Sequence, residues 1–451
     1  MQKIFVDCSF LSYNPTLNTG IQRVVRKVVE NLIVLSKEQE FELFLVDINN
    51  SKFDLMNYES LFVDPKANTQ STLKQKTSFK KIVIEYIKNI YFAIKALIAA
   101  IFPHHSVKKF LFASRNEFGL NYLIFKLLNS IKSIINPSKQ QVQTVNEPLI
   151  SKDDILLLLD STWHLDIWPS VKYAKKSGAK IVAVIYDIIP ITHASFCDDY
   201  LVEVFKKWFD ESLKNVDGYI AISNTVKKDL EGFLQKEFGE RVKEKKFDYF
   251  LLGGDFNLTK DETSKVRDEL ESVFANHSTY FIVCTIEPRK NHKYLLDVFD
   301  SLWSKNLDVR LCIAGRVGWK VDELIKRIYS NSEYNKKLYC YHDLSDGELE
   351  YCYKNAKALL FPSIAEGFGL PIIEALSHKL PVYASDIPIH REVGGDKIGF
   401  FDITNPQDLE NKIIDIEKNG IKKELVPDDS YRWQSWKDSS QMLLEKIQKM
   451  A

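Results

Sequence analysis

A regular alternation of short apolar segments with amphipathic helical segments is the feature of this 451-residue sequence that most restricts its fold. Between the apolar segments, hydrophobic residues recur at spacings of three and four, which is the period of a helix. Strands that alternate with helices predict parallel sheets covered by helices on both faces. The predicted strands are KIFVDC, FELFLVD, DILLLLD, KIVAVIYD, GYIAIS, FDYFLL, YFIVCTI, VRLCIAG, LYCY, ALLFPS and PVYAS.

The predicted strands fall into two groups, one from residue 1 to about 255 and one from about 278 to 405. A polar helical segment, TKDETSKVRDELESVF, separates the groups. The sequence therefore predicts an α/β protein of two doubly wound, Rossmann-like domains that face each other across a cleft. In such folds, ligands bind beyond the carboxyl ends of the strands.

Composition excludes several classes of protein. A hydrophobic content of 45% rules out an intrinsically disordered chain. The 61 Lys and Arg residues balance 61 Asp and Glu residues, which argues against a protein that binds nucleic acid with its whole surface. The six cysteines include no C-x-x-C pair and are interpreted as buried thiols of a reducing compartment. The opening MQKIFVDCSFL is typical of a strand, not of a secretion signal, so we expect a cytosolic protein without a membrane span.

One segment departs from the even charge balance. Residues 76–140 contain eleven Lys or Arg against two Glu, a net charge of +9. Within it, KIVIEYIKNIYFAIKALIAAIF is almost continuously apolar with Lys at intervals. A basic amphipathic helix of this kind suits an anionic membrane surface. The same composition is also compatible with a helical insertion that packs on the first domain and keeps its lysines in water.

A glycine-containing loop between a strand and a helix predicts an anion site. The strand ALLFPS is followed by Gly367 and Gly369, and Pro371 stands at the expected first position of the next helix. Free N–H groups at a helix start favour a phosphate, and glycine lets it approach the backbone. Glu366 lies in this loop, and Glu374 is expected in the first turn of the helix. On spacing alone, both glutamates are also compatible with a helix cap and a solvated helix face.

The pattern E-x7-E in EGFGLPIIE, after FPS and before PVYASDIP, closely resembles the retaining glycosyltransferases of family four, which have the GT-B fold. The resemblance continues in CTIEPRKNHKYLLDVF, IAGRVGW and LSDGELEYCYKNAKALLFPS, and in the first half in TGIQRVVRKVVENL, VIYDIIPITH and AISNTVKKDL. It implies an acceptor-binding domain over residues 1–255 and a nucleotide-sugar-binding domain over 256–428. Residues 429–451 would form a terminal helix that crosses back to the first domain.

The resemblance also implies roles for individual residues. Arg289 and Lys290, at the end of the strand YFIV, would neutralise the diphosphate that leaves during transfer. Taken alone, they are also compatible with a surface pair that opens a helix. The implied catalytic residues are Asp187, Arg289, Lys290 and Glu366, and the implied donor-binding residues are Gly20, His342, Gly367, Phe368, Gly369, Leu370 and Glu374.

Some of these positions have a plain structural alternative, and two positions depart from the family pattern. Gly20 is also compatible with a turn that caps a helix, and His342 with a loop histidine whose nitrogens are already bonded. Many relatives carry Arg where this sequence has Thr285, and His where it has Tyr186. Arg289 is one candidate for the missing charge, whereas Tyr186 puts in doubt any role that needs an imidazole.

The function implied is a retaining, metal-independent hexosyltransferase, similar to bacterial mannosyltransferases of O-antigen or capsule assembly. We expect GDP-mannose as co-substrate, no cofactor and no catalytic metal, since the histidines form no H-x-x-x-H or H-E-x-x-H pattern. The acceptor would be a growing lipid-linked glycan, reached by a cytoplasmic enzyme that is peripheral on the inner face of the membrane. A UDP-hexose or dTDP-rhamnose donor, and a non-catalytic carbohydrate-binding or scaffold protein of the same fold, remain alternatives.

Overall fold

The computed structural model describes residues 1–15, 17, 19–51, 53–58, 150–255 and 266–450. The basic segment predicted over residues 76–140 lies outside the described residues. Within the described ranges, no helix combines the length and apolarity that a bilayer crossing needs.

The first domain is built on a seven-stranded sheet with the order β3-β2-β1-β4-β5-β6-β7. Every neighbouring pair is parallel except β2 and β3, which are antiparallel. The strands are β1 Gln2–Asp7, β2 Phe41–Asp47, β3 Asp54–Leu55, β4 Ile155–Leu158, β5 Lys180–Ile185, β6 Gly218–Ala221 and β7 Lys246–Tyr249. Consecutive apolar residues fill both faces of the central strands, as in β4, where all four residues are buried.

The second domain is built on a six-stranded, fully parallel sheet with the order β10-β9-β8-β11-β12-β13. Its strands are β8 Ser278–Val283, β9 Val309–Ala314, β10 Leu338–Tyr341, β11 Ala358–Phe361, β12 Val382–Ser385 and β13 Gly399–Phe401. In each sheet the strand order reverses beside the first strand of the domain. Two doubly wound domains are the architecture that the alternating pattern predicted, and this expectation is confirmed.

Helices connect the strands in both domains. In the first domain they are α1 Ser9–Tyr13, α2 Gly20–Glu38, α3 Trp168–Lys176, α4 Ile189–Thr192, α5 Asp199–Asn215 and α6 Asn224–Phe238. In the second they are α7 Asp268–Phe274, α8 His292–Ser304, α9 Asp322–Tyr329, α10 Asp346–Asn355, α11 Leu370–Ser377, α12 Pro388–Gly394 and α13 Pro406–Asn419, and the chain ends in α14 Trp436–Met450. Local sequence sets several helix starts. For example, Ser345 and Glu348 form a reciprocal capping box at the start of α10.

The last helix, α14, packs against the first domain although it follows the second in sequence. It contacts α2 and the strands β5, β6 and β7. The segment before it is held by the Trp433 indole N–H, which donates to the Leu252 carbonyl at 2.8 Å. Gly254 also has Ile373 of the second domain beside it, where a Cβ would come within 2.2 Å of a side-chain methyl group. The last helix therefore belongs structurally to the first domain, and Gly254 lies where the two domains meet.

Candidate active site

A cavity of about 460 Å³ lies between the two domains, at the carboxyl ends of their strands. Residues of both domains line it, including the starts of helices α2 and α11. All eleven residues to which the sequence assigned a catalytic or donor-binding role lie in its wall: Gly20, Asp187, Arg289, Lys290, His342, Glu366, Gly367, Phe368, Gly369, Leu370 and Glu374. Their individual roles stay predictions.

Glu366 and two cations form the most tightly paired group in this wall. Arg289 Nη1 donates to Glu366 Oε2 at 2.9 Å, and Lys290 Nζ donates to Glu366 Oε1. Arg289 also pairs with Glu287, Nη2 to Oε1, at 2.7 Å. The side chains of Glu366 and Lys290 are 7% and 10% exposed, so water screens this group little. The carboxylate is thus already neutralised before any ligand enters.

Local backbone geometry places both cations at the cavity. Pro288–Lys290 form a single 3₁₀ turn after β8, and Asn291 ends it in the left-handed conformation with φ 56°. The Ile364 N–H donates to the Arg289 carbonyl at 2.8 Å, which fixes this turn to the loop that carries Glu366. The ammonium of Lys290 lies 5.3 Å from the ring centroid of Phe361. Side chains from two parallel strand ends are in this way held as one unit.

Burial and charge act in opposite directions on these carboxyl groups. Burial alone would raise the pKa of Glu366, but the charges of Lys290 and Arg289 outweigh it and hold the pKa well below its ordinary value. The stability that these ion pairs contribute is therefore present above the ordinary glutamate pKa and is lost as the pH falls towards the lower folded value. For Glu287 the balance is reversed, because burial raises its pKa more than Arg289 lowers it.

The glycine loop adopts the strand, loop and helix order that the sequence predicted. Gly369 is the N-cap of α11 with φ 95°, a left-handed conformation that favours glycine. This cap makes Leu370 the first helical residue, so the expectation that Pro371 occupies that position is wrong by one residue. Pro371 follows as the second residue, where its missing N–H leaves no helical bond unmade. The loop and the first residue of α11, residues 367–370, line the cavity, which is the arrangement that an anion site at a helix start requires.

Gly367 brings the loop against the first domain. A Cβ on Gly367 would lie 2.2 Å from the Tyr186 carbonyl oxygen and 3.2 Å from Cβ of Asp187. The Ser223 hydroxyl also donates to the Gly367 carbonyl at 3.1 Å. Gly367 is thus required by contact between the domains. At Gly20, in contrast, an added Cβ would meet nothing within 4 Å, so the folded chain itself does not demand a glycine there.

Glu374 lies in the same wall but is bonded differently from what its expected role suggested. It is the fifth residue of α11, just past the first turn in which it was expected, because the helix begins at Leu370 and not at Pro371. Its Oε1 pairs with Arg23 of helix α2 in the first domain. Its Oε2 accepts from the Tyr353 hydroxyl at 2.7 Å. The structure therefore keeps the two glutamates of the E-x7-E pattern in separate networks, one on each side of the glycine loop.

Two residues of the first domain face the loop from the end of β5. Asp187 accepts from the Ile189 N–H at 2.9 Å, and burial raises the pKa of its carboxyl, a rise that the charge of Arg289 limits. The Tyr186 hydroxyl donates to the Leu159 carbonyl at 2.7 Å and is therefore turned into the first domain. The Tyr186 backbone therefore contacts the second domain at Gly367, while its side chain is buried in the first domain.

His342 and Thr285 complete the wall on the side of the second domain. His342 Nδ1 donates to the Gly315 carbonyl at 2.7 Å, and its Nε2 accepts from the Tyr329 hydroxyl at 2.8 Å. Both ring nitrogens are thus bonded, as in the structural alternative for this histidine. Thr285 offers no charge at the cavity.

Sequence reasoning missed other residues of the wall. Arg316 lines the cavity directly after Gly315, and its signal was available in the block IAGRVGW. Glu287 was equally visible in CTIEPRKN. Arg23, in the block TGIQRVVRKVVENL, lines the cavity as well. Within the described ranges, no group of three or more His, Cys, Asp or Glu is arranged to hold a metal ion.

Comparison with known proteins agrees with this geometry. Residues 271–429 match the family described as Glycosyl transferases group 1. The chain is 30% identical over 315 residues to the serotype-specific mannosyltransferase WbdA of Escherichia coli, an alignment that covers 67% of this chain and 38% of that relative. It is 35% identical over 107 residues to the O-antigen chain mannosyltransferase RfbU of Salmonella typhimurium, covering 24% of this chain and 29% of the relative. The chain thus spans well under half the length of the relatives it matches.

Solved structures show the same fold at low sequence identity. The sucrose-phosphate synthase of Thermosynechococcus elongatus aligns with a TM-score of 0.54 at 14% identity, over 100% of this chain and 97% of that one. A glycosyltransferase from Rickettsia africae aligns with a TM-score of 0.53 at 15% identity, over 100% and 98% of the two chains. The architecture is therefore that of the GT-B proteins. Within it, the second domain of this chain is a group 1 glycosyltransferase domain, and its relatives are O-antigen mannosyltransferases.

Substitution of the two cavity glycines by alanine is expected to lower the stability of the protein at Gly367 but not at Gly20. Gly367→Ala places a methyl group against the Tyr186 carbonyl and should destabilise the protein by about 1–3 kcal/mol. Gly20→Ala meets open space at a helix start and should leave the melting temperature unchanged or slightly higher. Thermal unfolding followed by circular dichroism measures both variants. Equal losses of stability in the two variants would contradict the assignment of Gly367 to the domain interface.

Proposed function

We propose that this protein is a retaining glycosyltransferase that transfers mannose from GDP-mannose to a growing, lipid-linked surface polysaccharide. The observation that carries the proposal is the cavity wall itself, where a glycine loop and a helix start stand beside the paired Arg289, Lys290 and Glu366. The mannosyltransferase relatives support the choice of sugar, and their O-antigen names support a polysaccharide acceptor. GDP is the nucleotide that we propose as the carrier of this mannose.

Charge in the cavity supports a donor that carries a diphosphate. Lys290 has three N–H donors, of which one bonds Glu366, and its ammonium remains part of the cavity wall. Arg316 adds a further cation to the same wall. Together with the free N–H groups of residues 368–370, these cations would hold the diphosphate and stabilise it as it leaves. The positive charge required for departure is then supplied by protein side chains, in keeping with a metal-independent reaction.

The proposed reaction is a same-face displacement at the anomeric carbon. The acceptor hydroxyl oxygen forms the new bond to this carbon, and the bond from the carbon to the donor phosphate oxygen breaks with its electron pair on the phosphate. The acceptor proton passes to the leaving phosphate, so the products are the lengthened glycan and GDP. Asp187, in the wall opposite Arg289, would bind a hydroxyl of the acceptor or of the transferred sugar. Burial raises the pKa of the Asp187 carboxyl, and carboxyl groups with a shifted pKa are common in functional sites.

Membrane attachment is the second part of the proposal. The segment over residues 76–140, with its net charge of +9 and long apolar sequence, would hold this cytoplasmic enzyme on the anionic inner face of the membrane. Attachment to the membrane would keep the enzyme on the surface that carries a lipid-linked acceptor. The proposal rests on the sequence of this segment alone.

Release of nucleotide from a panel of nucleotide-sugars tests the enzymatic proposal. We expect GDP release from GDP-mannose in the presence of a lipid-linked mannose acceptor, with retention of the anomeric configuration in the product. Glu366→Gln removes the charge that holds Arg289 and Lys290 and should lower the rate by about 10²–10³-fold. If the protein consumes a UDP-hexose or dTDP-rhamnose and not GDP-mannose, the proposed donor is wrong. If it consumes no nucleotide-sugar, the result favours a non-catalytic protein.

Glu410→Gln is the matched control for this variant. Glu410 is also a buried carboxylate of the second domain, paired with Lys305, but it does not line the cavity. Its loss should lower stability to a similar degree and leave the rate per folded molecule unchanged. An equal fall in rate for both variants would show that Glu366 acts through folding alone.

Vesicle flotation tests the membrane proposal. The full chain should float with vesicles that contain anionic phospholipid and not with purely zwitterionic vesicles. Replacing four lysines of the basic segment by glutamine should lower the partition coefficient by about two to three orders of magnitude. The substituted residues are Lys80, Lys81, Lys88 and Lys95, and the control substitutes the exposed Lys206, Lys207, Lys236 and Lys243. Equal flotation of the two variants would contradict the role of the segment.

A further inference from the structure

Arg23 is a cation of the first domain that reaches across the cavity to the second. It is the fourth residue of helix α2, and its guanidinium pairs with Glu374 Oε1 of helix α11. The Arg23 side chain is 35% exposed and that of Glu374 is 9% exposed. Both residues line the cavity. Any molecule that fills the cavity therefore contacts a bond that joins the two domains.

The Glu374 carboxylate has both oxygens engaged in this state. Tyr353, which is 1% exposed and lies behind the cavity wall, donates to Oε2 at 2.7 Å. Oε1, which Arg23 occupies, is consequently the oxygen on the cavity side. A ligand hydroxyl that is to bond Glu374 from the cavity must displace the guanidinium or share the oxygen with it. Breaking the pair without replacement leaves a nearly buried carboxylate short of one donor, which is costly.

Arg23 is also the more loosely held of the paired cations in the wall. Arg289 bonds Glu366, Glu287 and the Ala365 carbonyl, and Lys290 is 10% exposed. For Arg23, the described residues provide one carboxylate partner, Glu374. Its long side chain can swing within the cavity while its backbone stays in helix α2. An anion that enters the cavity can therefore draw Arg23 away from Glu374 at the loss of a single ion pair.

The family resemblance assigns donor binding to Glu374, and we take a ribose hydroxyl of the donor as the group that bonds it. We propose that this hydroxyl and Arg23 compete for Glu374, and that a bound diphosphate offers Arg23 a new partner. The inference rests on the proposed function, because it takes a nucleoside diphosphate sugar as the donor. A nucleoside without phosphates breaks the Arg23–Glu374 ion pair and provides no new anion for Arg23 to bind. A nucleoside diphosphate breaks the same pair and offers the guanidinium a new anion. Arg23 is thereby a specificity-determining residue that disfavours nucleosides relative to nucleoside diphosphates.

Isothermal titration of guanosine and GDP into the full-length protein tests this role. In the Arg23→Ala variant, guanosine should bind roughly three- to tenfold more tightly, because its competitor is gone. GDP should gain less or bind more weakly, because the contact from Arg23 to phosphate is lost as well. The ratio of the two dissociation constants, guanosine over GDP, should therefore fall by about tenfold or more. Arg23→Lys, which keeps a shorter cation, should give an intermediate ratio.

A purely structural role for Arg23 predicts a different pattern. If the residue merely holds the domains together, its loss weakens guanosine and GDP by the same factor and the ratio stays constant, which would overturn the proposal. Arg391→Ala is the control, since Arg391 forms an ion pair with Asp386 of the same domain and does not line the cavity. Its ratio should equal that of the unsubstituted protein. Melting temperatures of all variants establish that they are folded.

The test separates this inference from the proposed function. If uridine and UDP bind in place of guanosine and GDP, the donor base proposed above is wrong, and the same ratio measured with the uridine pair decides the role of Arg23. If GDP binds and the ratio does not change in Arg23→Ala, the donor proposal stands and the competition is overturned. Failure of every nucleoside diphosphate to bind overturns both.

Discussion

The burial of Glu366 beside Arg289 and Lys290 is the interaction on which the rest of the site depends. A carboxylate that is 7% exposed is tolerated in a protein interior only when it is paired and hydrogen-bonded. Here the partners come from the turn after β8, while Glu366 follows β11, and the two strands are neighbours in the sheet. The fold thus brings the charges together, and the charges in turn fix the loop that leads into helix α11.

Contact between the domains follows from the position of this loop. The residue after Glu366 is a glycine whose missing side chain leaves room for the Tyr186 carbonyl. Nearby, the Glu392 carboxylate accepts from the Asn224 and Thr225 N–H groups at 2.7 Å, at the start of helix α6 in the first domain. On another side of the cleft, the Trp319 indole N–H donates to the Phe196 carbonyl at 2.7 Å. The cavity is therefore bounded by several polar contacts that each join one domain to the other.

Much of the fold was predictable because parallel strands carry an uninterrupted apolar signal. Runs such as ILLL in β4 and ALLF in β11 are buried on both faces, and they alternate with helical patterns over the whole described chain. The candidate site was predictable in outline because strand ends meet at one edge of a sheet, and because the resemblance named the residues that stand there. The predicted start of helix α11 was wrong by one residue, because the left-handed cap at Gly369 depends on backbone geometry that the amino-acid sequence does not specify.

The pairing within the site was beyond the reach of the sequence. Arg23 and Glu374 are 351 positions apart, and their bond exists because two separately folded domains meet. No local pattern encodes such a contact. The same holds for Trp319 and Phe196, which are 123 positions apart. Because Arg23 and Lys290 are each paired with a glutamate, a charged donor that binds these two cations must compete with the existing ion pairs.

A crystal structure of the protein with GDP is the most direct test of the central claim, that this cavity is the donor site. The account predicts the diphosphate within hydrogen-bonding distance of the N–H groups of residues 368–370 and of Lys290, with the ribose beside Glu374. Nucleotide bound at any other place on the protein, with Lys290 and the glycine loop free of it, would contradict the account.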